Sequence, residues 1–333
     1  MASTRRPGAH QVQSSQPEKR RIELIDIARG TALVAMAVYH FTWDLDFFGY
    51  IEPGTSVRGG WWIFARSIAG SFLFLVGVSL YLAHGRRIRL RAFTRRTAVI
   101  ALAAAGITVV TYFATPDAFI FFGILHNITV ASVLGLLFLR LPAVLILVCA
   151  AAALAAPLYV HADFLDQPIF WWTGLSRNVP GSNDYIPIFP WFGVVLAGIA
   201  VAKIAAATGL LARLATFRPA ARIPLLAAAG RHSLAFYLLH QPVLVSLVWI
   251  AAQVAPPPAP DREALFLQVC GEQCANQHEE NFCRAYCACV LEAAEAENRF
   301  EELYNPQRNP ETQSWIEDVA FRCSVENNGG EAQ

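Results

Sequence analysis

The chain has 333 residues, of which 55% are hydrophobic and only 15% are charged, and its mean hydropathy is +0.40. Soluble domains typically carry about 25% charged residues, so a pair of soluble domains is excluded. Disorder, collagen and a small disulfide scaffold are excluded for most of the length. The class that remains is an all-α polytopic membrane protein.

The net charge of +1 combines two regions of opposite sign. Residues 261–333 contain fifteen acidic and five basic residues, whereas the rest of the chain contains ten acidic and twenty-one basic residues. The acidic region also holds six of the seven cysteines. We therefore predict a disordered basic leader (1–22), a membrane domain (23–254), a proline-rich hinge (255–260) and an acidic extracytoplasmic tail (261–333).

Seven segments approach the roughly 20 apolar residues that a helix needs to cross a bilayer. They cover residues 24–48, 61–83, 97–115, 118–139, 141–160, 186–206 and 224–252. Sixteen Lys and Arg residues of the leader and of alternate loops fall on one side, whereas the opposite loops hold Arg58 and Arg177. By the positive-inside rule the N-terminus is cytoplasmic, and an odd number of spans places the tail outside.

Ionisable side chains inside a span are costly and mark functional sites. The first segment contains Asp26, Arg29, His40 and Asp44. Arg29 and His40 are eleven residues apart, so they share a helix face, with about 16 Å between them along the axis. The two aspartates flank the same face. The pattern predicts a functional polar stripe, and the alternative is a set of polar contacts between helices.

Histidines of two later segments lie at a depth similar to that of His40. His126 and His240 are both about 12–18 Å below the outer surface, at 1.5 Å per residue. Each alone is also typical of a hydrogen-bonded interior histidine. Their shared depth predicts one polar cavity, whose catalytic candidates are His40, Asp44, His126, Asn127 and His240. We expect His126, Asn127 and His240 to donate hydrogen bonds to a developing oxyanion.

The positive charge of the arginine-rich loop 84–96 is explained if the loop only keeps this side of the protein in the cytoplasm. Because it lies on the same side as Arg29, it also predicts a site for the phosphates of a cytosolic cofactor. The candidates for that site are Asp26, Arg29, Arg86 and Arg87. On the opposite side, Trp171 and Trp172 of the loop 161–185 are typical of an interface belt or, together with acidic neighbours, of sugar binding.

The tail cysteines are spaced for a helical hairpin, because two pairs are each one helical turn apart. The predicted bridges are Cys270–Cys287, Cys274–Cys283 and Cys289–Cys323. Six cysteines allow fifteen connectivities, and a metal site that includes His278 is the alternative. Disulfides persist in oxidising compartments, which agrees with a tail outside the membrane.

Four sequence blocks resemble the heparan-alpha-glucosaminide N-acetyltransferase catalytic-domain family. The opening block, RIELIDIARGTALVAMAVYH, covers residues 21–40 and is the most specific of them. The others are GILH at 123–126, PWFG at 190–193 and GRHSLAFYLLHQP at 230–242. In addition, Arg29 and His40 are similar to the Arg-x10-His motif of the wider membrane acyltransferase superfamily.

This resemblance implies transfer of an acetyl group from cytosolic acetyl-CoA to a sugar amine across the membrane. Arg29 would lie on the cofactor side and His40 at the reacting centre, as a general base or as an acyl carrier. The lysosomal enzyme has more spans and a second functional histidine in the loop after its first span, whereas residues 49–60 contain none here. Bacterial members with unassigned substrates resemble this chain more closely.

We therefore predict a multi-pass acyltransferase of the bacterial inner membrane with a periplasmic tail. Its partners would be acyl-CoA, the lipid bilayer and an extracytoplasmic glycan or small sugar, and a homodimer is one possibility. No metal and no nucleic acid are expected. One alternative is a proton-coupled permease that uses the same intramembrane His and Asp residues. The other is an interaction protein whose membrane part tethers the tail.

Overall fold

A computed structural model describes residues 22–216, 224–258, 262–275, 277–304 and 309–328. These ranges form helices and turns and contain no β-strand. The chain divides into two compact units, Met1–Pro256 and Pro257–Gln333. Nearly all of the predicted leader and residues 259–260 of the hinge lie outside the described residues, as do Arg218 and Arg222 of the basic side.

The first unit is built from nine described α-helices. They are α1 (Glu23–Phe47), α2 (Gly59–His84), α3 (Leu90–Ala114), α4 (Ile124–Phe138), α5 (Ala143–Tyr159), α6 (Ile188–Ala207), α7 (Leu210–Thr216), α8 (Pro224–Arg231) and α9 (Ser233–Val254). Five of these, α1, α2, α3, α6 and α9, are long and apolar enough to cross a membrane. Helices α4 and α5 are apolar but shorter, with 15 and 17 residues. The protein is therefore a multi-pass, all-α membrane protein.

Each predicted segment contains an apolar helix, but three helices begin elsewhere than predicted. Helix α3 begins at Leu90 rather than at residue 97, so it includes the last three arginines of the arginine-rich segment. Helix α4 begins at Ile124, because Pro116 starts a short 3-10 turn and Gly123 has an extended conformation. The last segment forms two helices, because His232 has non-helical torsion angles between α8 and α9.

Helix α6 is the most buried of the five long helices, and it packs against α2 and α5. Glycines allow the backbones of α2 and α6 to approach closely. A methyl group on Gly77 of α2 would overlap the carbonyl oxygen of Val195 in α6. A methyl group on Gly198 of α6 would overlap the carbonyl oxygen of Phe74 in α2. This pair of contacts fixes the centre of the bundle.

A second close crossing joins α1 to α8. A side chain on Gly30 would overlap the backbone of Leu226, and one on Gly230 would overlap the backbone of Asp26. Because α9 follows α8 after one residue, this crossing also determines where α9 begins along α1. It therefore sets which side chains of α1 and α9 meet farther along the two helices.

Helices α3 and α9 are the least buried of the five long helices. Both helices expose many large apolar side chains, as expected for contact with lipid. They include Leu102, Val110 and Phe113 of α3, and Leu239, Leu247 and Val254 of α9. His240 and Gln241 of α9 instead meet α1, at His40 and Asp44.

The tail unit has its own small core. It consists of α10 (Arg262–Cys274), α11 (Glu280–Ala296), α12 (Phe300–Leu303) and α13 (Pro310–Asn328). Helices α10 and α11 form the predicted hairpin, and α13 packs on α11 as a third long helix. The core side chains are Val290, Ala294, Trp315, Val319 and Cys323.

Three disulfides connect the tail helices. They join Cys270 to Cys287, Cys274 to Cys283 and Cys289 to Cys323, with Cα–Cα distances of 5.9, 5.5 and 5.7 Å. This is the pairing proposed from the spacing. Bonded sulfurs do not provide the thiolates that a metal site requires, so the structure does not favour the alternative with His278. Cys149 in α5 is the one described cysteine with a free thiol.

The glycine contacts predict a difference between two conservative substitutions. Gly77→Ala places a methyl group against α6, and such overpacking costs about 1–3 kcal/mol. We expect its melting temperature in detergent to fall by about 5 °C. Gly106→Ala in α3 is the matched control, because no heavy atom lies within 4 Å of its new methyl group. Equal melting temperatures for the two variants, measured by fluorescence-detected size-exclusion chromatography, would contradict this packing.

Candidate active site

Helix α1 holds Arg29 between two partners near its first turns. Its Nη1 donates to Asp26 Oδ1 at 3.1 Å, and its Nη2 donates to Ser79 Oγ of α2. The Ser79 hydroxyl in turn donates to the carbonyl oxygen of Leu75. Arg29 is thus part of the contact between α1 and α2, with 25% of its side chain exposed. Ser79 was not predicted, because a single serine in an apolar span has no distinctive spacing.

The two other predicted arginines lie at the same end of α2. Arg86 and Arg87 are exposed in the turn between α2 and α3. Ser79 precedes His84, the last residue of α2, by five residues, which is about 8 Å along the helix. The predicted cofactor-side residues therefore share one end of the bundle.

The side chains of His40 and His240 face each other between α1 and α9. Their ring centroids are 4.9 Å apart and the rings are inclined by 64°. Tyr39 contacts the edge of His40, and Phe236 stacks on His240. The structure therefore brings together the predicted histidines of the first and last spans.

The hydrogen bonding of His240 determines its tautomer. Its Nδ1 lies 2.6 Å from the backbone carbonyl oxygen of Tyr237. A carbonyl oxygen only accepts, so Nδ1 carries a hydrogen, and in the neutral ring Nε2 presents a lone pair. Nε2 is buried and has no hydrogen-bond partner among the described residues. His240 therefore offers an acceptor to the site, rather than the predicted oxyanion donor.

Asp44 is completely buried next to this pair of histidines. Its Oδ1 accepts a hydrogen bond of 2.7 Å from Gln241 Nε2. Asp44 Oδ2 and Gln241 Oε1 are buried without a hydrogen-bond partner in the described part of the chain. With His240 Nε2, they make three acceptors with unused capacity on neighbouring residues. Leaving a buried polar group unsatisfied costs about 1–3 kcal/mol, so the site favours a ligand with hydrogen-bond donors.

His126 has a local structural role in α4. Its Nδ1 accepts from the backbone N–H of Gly123 at 3.2 Å, and its Nε2 lies 3.2 Å from Thr108 Oγ1. Because the Thr108 hydroxyl donates to the carbonyl oxygen of Ile120, the His126 Nε2 donates to Thr108. Nδ1 therefore caps the start of α4, and Nε2 joins α4 to α3. The catalytic role of His126 stays a prediction, and in this structure both ring nitrogens have partners within the fold.

Asn127 also has a structural role. Its Nδ2 donates to the carbonyl oxygens of Ile186 and Pro187, at 3.1 and 2.8 Å. Its Oδ1 is buried without a hydrogen-bond partner among the described residues. Asn127 thus holds the segment before α6 and does not have a free donor for an oxyanion.

Asp184 is a site residue outside the predicted set, in the segment before α6. Its carboxylate accepts from the backbone N–H of Ile124 at 2.9 Å, and it interacts electrostatically with Tyr39 and Tyr237. These tyrosines are neighbours of His40 and His240. The sequence placed Asp184 only among the acidic residues of an outer loop, because its approach to α1 and α9 depends on long-range packing.

The described residues contain no group of three His, Cys, Asp or Glu side chains arranged to hold a metal ion. The fold and the site together define the class of protein. It is a multi-pass membrane protein in which ionisable side chains face each other inside the helix bundle.

Residues 21–242 match the family "Heparan-alpha-glucosaminide N-acetyltransferase, catalytic". Because the match covers well over half of the chain, the protein belongs to this family, and the predicted resemblance is confirmed. No curated protein and no solved structure matches the chain. The family and the apolar helices together support a membrane acetyltransferase-type function.

Burial raises the pKa of Asp184 to about 6, and the hydrogen bond from Ile124 opposes part of this rise. The folded protein thus retains a proton that an unfolded aspartate releases near pH 4. The contribution of Asp184 to stability is therefore present below about pH 4 and is lost as the pH rises through 6. Asp184→Asn lacks this titration, so its melting temperature should rise relative to wild type between pH 4 and about 6.5.

Asp117→Asn is the matched control, because Asp117 is an exposed carboxylate of a nearby loop. Its melting temperature should follow that of the wild type over the same pH range. A constant difference between Asp184→Asn and wild type would show that Asp184 does not titrate as proposed.

Proposed function

We propose that the protein is an integral-membrane acyltransferase that moves an acetyl or short acyl group from cytosolic acyl-CoA to an extracytoplasmic sugar amine or hydroxyl. The supporting observation is that three buried acceptor atoms on α1 and α9, Asp44 Oδ2, His240 Nε2 and Gln241 Oε1, have unused capacity among the described residues. Amines and hydroxyls are hydrogen-bond donors. An acyl acceptor of this kind satisfies these atoms, whereas an aprotic ligand does not.

His40 has the central role in this proposal. In one route its imidazole removes the proton from the acceptor as the amine or hydroxyl attacks the thioester carbon, and the CoA thiolate leaves. In the other route His40 attacks the thioester first and carries the acyl group to the acceptor. In the first route the bond from the acceptor to the acyl carbon forms as the carbon–sulfur bond breaks, and the proton on His40 passes to the CoA thiolate. In the second route the bond from His40 to the acyl carbon forms as the carbon–sulfur bond breaks, and it breaks in turn when the acceptor attacks and loses its proton. His240 Nε2 and Asp44 orient the acceptor beside His40.

The acyl donor approaches from the end of the bundle that holds Arg29. Arg29, Asp26, Arg86 and Arg87 lie there, and guanidinium groups bind phosphates as charge-assisted donors. Arg29 is about 16 Å from His40 along α1. The phosphates of acetyl-CoA would therefore stay near the membrane surface while the thioester reaches the histidines. This arrangement moves the acyl group without moving the whole cofactor.

The membrane in this proposal is the bacterial inner membrane. The N-terminus is cytoplasmic and the tail periplasmic, which agrees with the basic residues of the cytoplasmic loops. An oxidising periplasm also allows the three tail disulfides to persist. Acetyl-CoA is the co-substrate, and its donor role follows from the family rather than from a bound molecule.

The proposal predicts that His40→Ala abolishes acyl transfer. Purified protein in lipid would be given labelled acetyl-CoA and a mixture of envelope glycans, and label would be measured on the protein and on the glycans. We expect transfer to fall by about 10³-fold or more, because the base or carrier is lost. His161→Ala is the matched control, since His161 is exposed in the loop after α5. Undiminished transfer by His40→Ala, or solute uptake by proteoliposomes without any acyl donor, would contradict the proposal.

The same assay distinguishes residues that bind the acyl donor from residues that take part in the reaction, because the two affect KM and kcat differently. Arg29→Lys keeps a positive charge but not the planar pair of donors, so we expect the KM for acetyl-CoA to rise by about tenfold with little change in kcat. Arg140→Lys, an exposed arginine that follows α4, should match the wild type. A lower kcat with an unchanged KM would place Arg29 outside the donor site.

A further inference from the structure

The tail unit carries an apolar groove that the acyltransferase proposal does not use. A cavity of about 670 Å³ lies between α10 and α13, with α11 as its floor. This volume is within the range of about 300–1,000 Å³ that is usual for ligand sites. The apolar side chains that line it include Phe266, Val269, Phe282, Tyr286, Ile316 and Val319.

Covalent bonds fix both walls of this groove to its floor. Two disulfides join α10 to α11, and the third joins α13 to α11. The walls and floor are three long helices packed side by side. A fourth helix placed between α10 and α13 would complete a four-helix arrangement of the kind that buries apolar faces in a common core.

The charge of the tail indicates which kind of helix would bind. The tail has ten more acidic than basic residues, and its four described arginines are each in an ion pair with a tail carboxylate. These pairs are Arg262–Glu301, Arg284–Glu280, Arg299–Glu302 and Arg322 with Asp318 and Glu297. The excess charge of the unit therefore remains negative.

Carboxylates also border the groove on both walls. Glu272 lies three residues after Val269 on α10, and Glu317 follows Ile316 on α13. Both are exposed, and helical spacing places each within about 100° of its groove-lining neighbour. A ligand in the groove would thus meet an apolar floor between two acidic rims.

We propose that the groove binds a basic amphipathic α-helix of a partner protein. Its apolar face would fill the space between α10 and α13, as in helix-in-groove recognition. Its Lys and Arg residues would face Glu272 and Glu317, and opposite charges across an interface steer association. The same negative charge disfavours fatty acids and anionic lipid headgroups. This site is independent of the acyltransferase proposal.

The test uses the full chain in nanodiscs of zwitterionic lipid. The probe is a fluorescent peptide of about 18 residues, or five helical turns, with leucine on one face and lysine on the other. Empty nanodiscs give the blank, and a leucine–glutamate peptide of the same pattern tests charge. Binding is measured by fluorescence anisotropy at low and high salt.

Val269→Glu and Ile316→Glu place a charge in the groove, and we expect each to weaken binding of the lysine peptide by about tenfold. Leu267→Glu and Val325→Glu are the matched controls, because these residues are exposed on α10 and α13 but do not line the groove. The controls should bind as the wild type does, and high salt should weaken all binding. Thiol titration should find only Cys149 in every variant, as evidence that the disulfides have formed.

Four results would overturn the proposal. One is that the lysine peptide does not bind the wild type above the blank. A second is that the glutamate peptide binds equally well, and a third is that the control variants weaken binding as much as the groove variants. The fourth is that a fluorescent fatty acid, and not the lysine peptide, binds in a manner sensitive to Val269→Glu, which would make the groove a lipid site.

Discussion

The polar contact between α1 and α9 is the interaction on which the proposed site depends. Gln241 donates to the buried Asp44, and the rings of His40 and His240 face each other one turn away. Polar groups inside an apolar bundle are stable only where they are paired or bind a ligand. The close approach of α1 and α8 at their glycines sets the register that brings these four side chains together. The proposed chemistry thus depends on a backbone contact several turns from the histidines.

Much of the membrane architecture could be predicted from the sequence, because the apolar runs and the periodicity of a helix are local properties. The face shared by Arg29 and His40 follows from their spacing alone. The same local spacing indicates the tail hairpin, since cysteines one turn apart on two helices can pair in only a few ways. Helix boundaries were less predictable where arginines, prolines or a single non-helical residue such as His232 changed the start of a helix.

The grouping of site residues could not be predicted in the same way. His126 and His40 have a similar depth, but depth does not say which direction a side chain faces. His126 turns to Gly123 and Thr108 within its own corner of the bundle. Ser79 contacts Arg29 from 50 positions away in the chain, and Asp184 binds the start of α4 from 60 positions away. Such pairs depend on how the helices pack, which a single sequence does not specify.

Nitrogen-15 solid-state NMR of histidine-labelled protein in lipid tests the central claim most directly. The resonances of His240 are assigned by their loss in His240→Gln. If α1 and α9 form the site described, His240 carries its hydrogen on Nδ1, and its Nε2 shows the shift of an unprotonated nitrogen. If Nε2 of His240 instead carries a hydrogen, it cannot accept a hydrogen bond from the amine or hydroxyl that receives the acyl group. That result would contradict the proposed site.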